Sequence, residues 1–330
     1  MLHRLAIGTL SLLLLIPTLV GSSAKLVKDD KSKEDKVIPQ GQPVLWREPK
    51  DISKRNLYLG PGGEAMKPDL SHLTLIKKEK GGYSTKYRVR DGSGREWVVK
   101  VGKEAQSETA ASHLMWGVGY NADVDYLVPN VRIDGINKPL TNVRFSARPK
   151  DVKRVDGFKW SDNPFVGTRE FQGLKVMMAL LNNWDIKDSN NKILVVKGKN
   201  GKNELQYEVH DLGASFGKIS HIPRFLQFKP DRNDPKAYAK SHLVDKVKDG
   251  DVRLHYSVKR SDLFKGISVR DARWIGSMIG RLSQQQIADA FRSANYSPEQ
   301  VRLMTEAVAK RVTELKSLPA NTQLAKRRVR

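Results

Sequence analysis

Asp185-Ile-Lys187-Asp-Ser-Asn190-Asn191 puts an acid, a cation and an amide on one tight loop, and Asp211-Leu-Gly213 follows twenty residues after Asn191. This spacing fits metal-assisted phosphoryl transfer. Asp185 is the candidate base, Lys187 a neutraliser of phosphoryl charge, and Asn190 a metal ligand. Asp211, after a strand, is a second ligand for Mg²⁺. Composition alone produces Asp-x-Lys-x-x-Asn in about one chain of this size in twenty-five. The order of the flanking elements therefore decides how much weight the motif carries.

Those elements fall in a consistent order. Phe171, Leu174, Met177, Met178, Leu181 and Trp184 recur at three- and four-residue steps, which predicts a helix over 168–182 with Asp185 just past its end. Ile193–Val196, a Gly-Lys-Asn-Gly-Lys-Asn turn and Leu205–Val209 predict a β-hairpin, with Asp211 after its second strand. Further upstream, Leu73–Ile76, Lys86–Arg90 and Glu96–Val101 read as three strands. Lys80-Gly81-Gly82-Tyr-Ser84-Thr85 and Asp91-Gly-Ser-Gly94 supply the turns between them. Lys100 lies on the third strand among Val98, Val99 and Val101, and Glu104–Met115 reads as a helix carrying Glu104 and Glu108.

This series resembles the protein-kinase-like superfamily over roughly residues 70 to 290, in its atypical branches. Asn183-Trp184 stands where His-Arg usually precedes the loop aspartate, Leu212 replaces the usual Phe, no Ala-Pro-Glu follows, and the glycine loop is short. Without that Arg, control by activation-loop phosphorylation is not expected. Asp211-Leu-Gly-Ala-Ser-Phe216-Gly217-Lys218 is similar to the run found in secretory-pathway kinases, which generally lack the loop Asn present here.

The resemblance implies an α+β, two-lobed fold, with a small β-rich N-lobe over 44–149 and a helical C-lobe over 150–318. It implies ATP with Mg²⁺ or Mn²⁺, and transfer to an acceptor of unspecified chemistry. Gly81, Gly82, Ser84 and Thr85 would cover the phosphates, and Lys100 would hold them. Glu108, further into its helix than Glu104, would orient Lys100. Asp185 would position or deprotonate the acceptor hydroxyl, Lys187 would neutralise the transferring group, and Asn190 and Asp211 would hold the metal. A kinase-like scaffold that binds without turnover is the alternative.

The whole chain sets the context. Residues 1–24 combine a weakly basic start, an apolar run from Leu5 to Val20 and a Ser22-Ser-Ala24 cleavage site. They read as the signal peptide of an exported bacterial protein, periplasmic or secreted. Residues 25–43 read as a disordered tether, and 319–330 as a basic tail. Later segments are too short or too polar to span a membrane. The 330 residues contain no Cys and seven His without metal-ligand spacing, so disulfides are excluded and zinc is not expected. A net charge of +23 suits an anionic surface or polymer, or simple solubility. No specific nucleic-acid module is recognisable. Ser283-Gln-Gln-Gln286 and Ser297-Pro-Glu-Gln300 read as capping boxes opening two C-terminal helices, after a first over 269–282.

Blander readings of the same residues stay open at this level. Asp185 can cap a loop, Asp211 can serve a turn, Lys100 can be an exposed edge residue, and Glu108 can compensate a helix dipole. Gly81-Gly82 can be an ordinary hairpin turn, and His210 an orienting neighbour of Asp211.

Overall fold

The order of elements is β-rich first and helical later, as the sequence predicts. The computed structural model describes residues 38–320 except 82–83, 199, 220–230, 257 and 259. The expected signal peptide, the tether as far as 37, Gly82 and the tail from 321 lie outside the described residues. In chain order the elements are β1 (Gln42–Val44), β2 (Thr74–Glu79), β3 (Thr85–Arg90), β4 (Glu96–Val101), α1 (Lys103–Gly117), β5 (Asp125–Val131), β6 (Leu140–Ala147) and β7 (Lys153–Asp156). Then come α2 (Arg169–Leu180), β8 (Asn191–Lys197), β9 (Asn203–Val209), α3 (Pro235–Lys240), β10 (Val244–Lys248), β11 (Asp251–Leu254), α4 (Val269–Ile279), α5 (Gln284–Ser293) and α6 (Pro298–Lys316).

The first sheet is antiparallel, in the order β2-β3-β4-β6-β5. β4 is its middle strand and is buried on both faces. Successive side chains alternate across it. Trp97 and Val99 enter a core with Leu73, Val89, Tyr126, Val143 and Phe145, while the alternate position Lys100 is on the opposite face, towards α1. Tyr126 and Phe145 meet the Trp97 ring edge-on at 6.0 Å. Twelve of the fifteen residues of α1 are buried, many of them polar, because the helix lies between this sheet and the helical core.

The turn before β4 is fixed by Asp91, which is only 3% exposed. Its carboxylate accepts from the Ser93 and Arg95 backbone N–H groups at 3.0 and 2.9 Å and from Trp97 Nε1–H at 2.8 Å. Asp91→Ala removes the acceptor, leaves the buried Trp97 Nε1–H without a partner and frees the turn's N–H groups. We expect a loss of about 3 kcal/mol in urea unfolding. A loss under about 1 kcal/mol would mean the turn holds without its acceptor.

The second sheet, β1-β9-β8-β7, belongs to the helical part. β1 pairs parallel with β9, Gln42 opposite Glu204, so two residues of the expected tether sit in a strand. Leu45, Ile52 and Leu57 likewise join the large core built on α2, α4, α5 and α6 rather than that of the first sheet. The segment from 42 to 57 thus closes the C-terminal region although it precedes the N-terminal one. Both capping boxes form as expected, and Gln286 also donates to the carbonyls of Ile52 and Arg55 at 2.8 and 2.9 Å. Among the described residues no helix is long and apolar enough to cross a membrane.

Candidate active site

The loop after α2 starts from a left-handed residue. Asn182, with φ +53°, follows the last turn of the helix, as a terminating residue does. Its amide donates to the Gly217 carbonyl at 3.0 Å. Asn183 is fully buried and holds both candidate aspartates through one amide group. Its Oδ1 accepts from Asp185 N–H at 3.1 Å, and its Nδ2 donates to the Asp211 carbonyl at 3.5 Å. The Tyr256 hydroxyl donates to the Asn183 carbonyl from the other side. In the sequence Asn183 registers only as a departure from His-Arg.

Asp185 then meets both of its predicted companions. Lys187 Nζ lies 2.8 Å from its Oδ1, and Asn190 Nδ2 donates to its Oδ2 at 3.2 Å and to its carbonyl at 2.7 Å. Lys187 is exposed and Asp185 half-buried, so the group faces solvent. The Asn190 carbonyl accepts from His210 N–H at 2.8 Å and Asp211 N–H at 3.3 Å, which ties the loop to the turn after β9. Gly213 N–H donates to Asp211 Oδ1 at 3.3 Å, so Asp211 does shape its turn as well. A Cβ on Gly213 would lie 2.9 Å from Glu104 Cβ; α1 packs directly on this turn. Ser107 Oγ–H donates to the Gly213 carbonyl at 2.8 Å. His210 sits against Asp123, an orienting position.

Lys100 closes the set. It is on the middle strand and 3% exposed, so the edge-residue reading fails. Its Nζ lies 2.6 Å from Glu108, 3.5 Å from Glu104 and 3.4 Å from Asp211. Glu108 is the nearer partner, as expected, and it is not a surface dipole compensator. Burial pushes the Glu108 carboxyl up to about 7 against the pull of Arg144 and Lys100. Burial would also raise Asp211, but Lys100 and Arg144 outweigh it and hold its carboxyl below the usual range.

The loop between β2 and β3 is partly described. Gly81 has φ +87°, a left-handed turn conformation that suits glycine. Ser84 Oγ–H donates to Glu104 Oε2 at 2.5 Å. Thr85 is the first residue of β3 and pairs with Val101. Of the predicted phosphate-covering residues, Ser84 is thus drawn to the start of α1, and Gly82 lies outside the described residues.

Two contributors escape sequence reasoning. Arg144 on β6 faces Lys100 across the ladder, and Lys86 on β3 faces it from the other side. Directly opposed residues share a face, so three cations line up toward α1. Arg144 Nη1 lies 2.6 Å from Glu108 and 3.3 Å from Asp125. Glu104, the less favoured partner of Lys100 in the sequence, is shared by Lys100, Ser84 and Arg232. Register between distant strands leaves no local signal for the two cations.

No protein-family model and no curated protein matches the sequence. Solved structures do. The Helicobacter pylori proinflammatory kinase CtkA is similar at 14% identity and TM-score 0.45, over 76% of this chain and 93% of that one. The Golgi casein kinase with Mn and ADP bound is similar at 10% identity and TM-score 0.39, over 78% and 75%. The Rio2 kinase of Chaetomium thermophilum, in complex with ADP, Mg²⁺ and phosphoaspartate, is similar at 9% identity and TM-score 0.34, over 76% and 74%. Each is a kinase by its own description, and none transfers an activity to the present chain.

Proposed function

We propose that this chain transfers the terminal phosphoryl group of ATP to a hydroxyl of an acceptor. One observation carries the reading: Lys187, Asp185, Asn190, Asp211, Lys100 and Glu108 form an unbroken series of contacts, although 79 residues separate the first and last of them in sequence (187 minus 108). The intact Lys187–Asp185–Asn190 group favours turnover over a binding scaffold.

The residues fit both cofactors. Asp211 and Asn190 offer hard oxygen ligands, a donor set suited to Mg²⁺ or Mn²⁺. With its nitrogen held by Asp185, Asn190 has its amide oxygen to give. The metal, when bound, would neutralise charge on the phosphates. Lys86, Lys100 and Arg144 form a cationic face suited to a polyphosphate. Lys100, fixed by Glu108, binds the phosphates. Asp185 accepts the hydroxyl proton at a carboxylate oxygen, aimed by Asn190, while Lys187 stabilises charge on the transferring group.

ATP with Mg²⁺ or Mn²⁺ should raise the melting temperature by several degrees at saturation, and ATP with a chelator far less. The same protein should turn over radiolabelled ATP when given its acceptor or water. A flat melting temperature under every metal and nucleotide combination would discard the reading.

A further inference from the structure

A second group of side chains converges away from the cleft. His242 follows α3, Asp245 is in β10, and His255 follows β11. The pairing of β10 with β11 slips at Asp245. Val244 faces Leu254 and Lys246 faces Arg253, leaving Asp245 as the extra residue of a bulge. A bulge re-aims a side chain relative to the strand's alternation. Beyond the ladder, His255 N–H donates to the Leu243 carbonyl at 2.8 Å, which holds His255 against the residue that follows His242.

His242 Nε2 and His255 Nδ1 lie 2.9 and 2.7 Å from one oxygen, Asp245 Oδ1. The three ligand atoms all fall within 4.8 Å of one another. The rings stack with centroids 3.8 Å apart and planes at 27°. A metal bound at about 2.1 Å by each atom needs right-angled ligand edges of about 3 Å. The two observed nitrogen–oxygen separations are close to that. The side chains are 44%, 44% and 18% exposed for His242, Asp245 and His255, so an ion can enter and keep water on its remaining positions.

We propose that His242, Asp245 and His255 bind one divalent transition-metal ion on the β10–β11 hairpin. Two imidazoles and a carboxylate favour Zn²⁺, Co²⁺ or Ni²⁺ over Mg²⁺ and Ca²⁺. The sequence hides the site because twelve residues and a hairpin separate the histidines. Its place gives it a structural consequence. The residue after His255 is Tyr256, buried on Phe264 and bonded to the Asn183 carbonyl. An ion on His255 would stiffen the support of the loop that carries Asp185.

The test is titration of the untagged, metal-free full chain with Co²⁺ and Zn²⁺, without nucleotide. One equivalent should bind, with visible ligand-field bands for Co²⁺. Affinity should fall at least about tenfold in His242→Ala and in His255→Ala. His242 is exposed enough for its variant to fold if His255→Ala does not. Asp211→Asn should bind this ion as wild type does. No binding by wild type, or equal binding by both histidine variants, overturns the site. Loss of the ion in Asp211→Asn would also overturn it, by moving the ion to the cleft, and would leave the phosphoryl-transfer reading intact.

Discussion

Asp211→Asn is expected to lower phosphoryl transfer by about a thousandfold or more while changing stability by less than about 1 kcal/mol. The two effects separate because of how the residue is held. Its carboxylate is 36% exposed, and its nearest ionic partner, Lys100, keeps Glu108 at 2.6 Å and Glu104 at 3.5 Å when the charge is removed. Asn keeps the volume and an oxygen for the Gly213 N–H bond, but offers a cation a far weaker ligand. The melting-temperature rise produced by ATP with Mg²⁺ or Mn²⁺ should vanish with the activity.

Asp185→Asn should behave differently. The metal-dependent nucleotide response should persist, because Lys100 and Asp211 are untouched, and transfer alone should be lost. The loop should keep its shape, since Asn183 and Asn190 both bond the backbone of residue 185, and only Asn190 its side chain. If Asp211→Asn retains both the nucleotide response and the turnover, Asp211 is a turn residue and the proposed mechanism fails.

What could be read in advance was local or ordered along the chain. The Asp185 loop is six residues long, so its spacing alone brings acid, cation and amide together. The apolar stripe of α2 and both Ser-x-x-Gln capping boxes are equally local, and all formed. Lys100 and Glu108 were reachable because a strand and the next helix usually pack together.

The unread parts depend on distant pairing. Gln42 pairs with Glu204, and nothing near Gln42 says so. Lys86, Lys100 and Arg144 align only once three strands are in register. Strand β5 contains Pro129, which argues against a strand unless it lies at an edge; β5 is an edge. α1 shows no apolar stripe because it is covered on nearly every side, and its buried polar residues serve the site. Asn183 looked like a lost His-Arg pair, yet its amide spans the two aspartates.

Glu108→Gln should cost more than Lys100→Met, by about 1–2 kcal/mol, because it turns an amide N–H on two buried cations. Glu108 lies between Lys100 Nζ and Arg144 Nη1, each 2.6 Å away, and all three side chains are at most 3% exposed. Replacing the acid leaves Lys100 with only the longer contacts to Glu104 and Asp211, at 3.5 and 3.4 Å, and Arg144 with only Asp125, at 3.3 Å, and a guanidinium cannot shed its proton. Removing the lysine leaves Glu108 paired with Arg144. Its carboxyl, already raised to about 7 by burial, can also take up a proton. Met then fills the stem's volume.

The same raised value fixes a pH signature. The folded state binds this proton more tightly than the unfolded chain, whose carboxyl titrates near 4.5. The contribution of Glu108 to stability is therefore full below about 4.5, falls as pH rises to about 7, and is level above. Glu108→Gln should lack that decline, and urea midpoints measured across the window read it directly. Both variants should lose the nucleotide response. Equal destabilisation by the two substitutions would show that Lys100, and not the acid between two cations, is the member whose loss the fold cannot absorb.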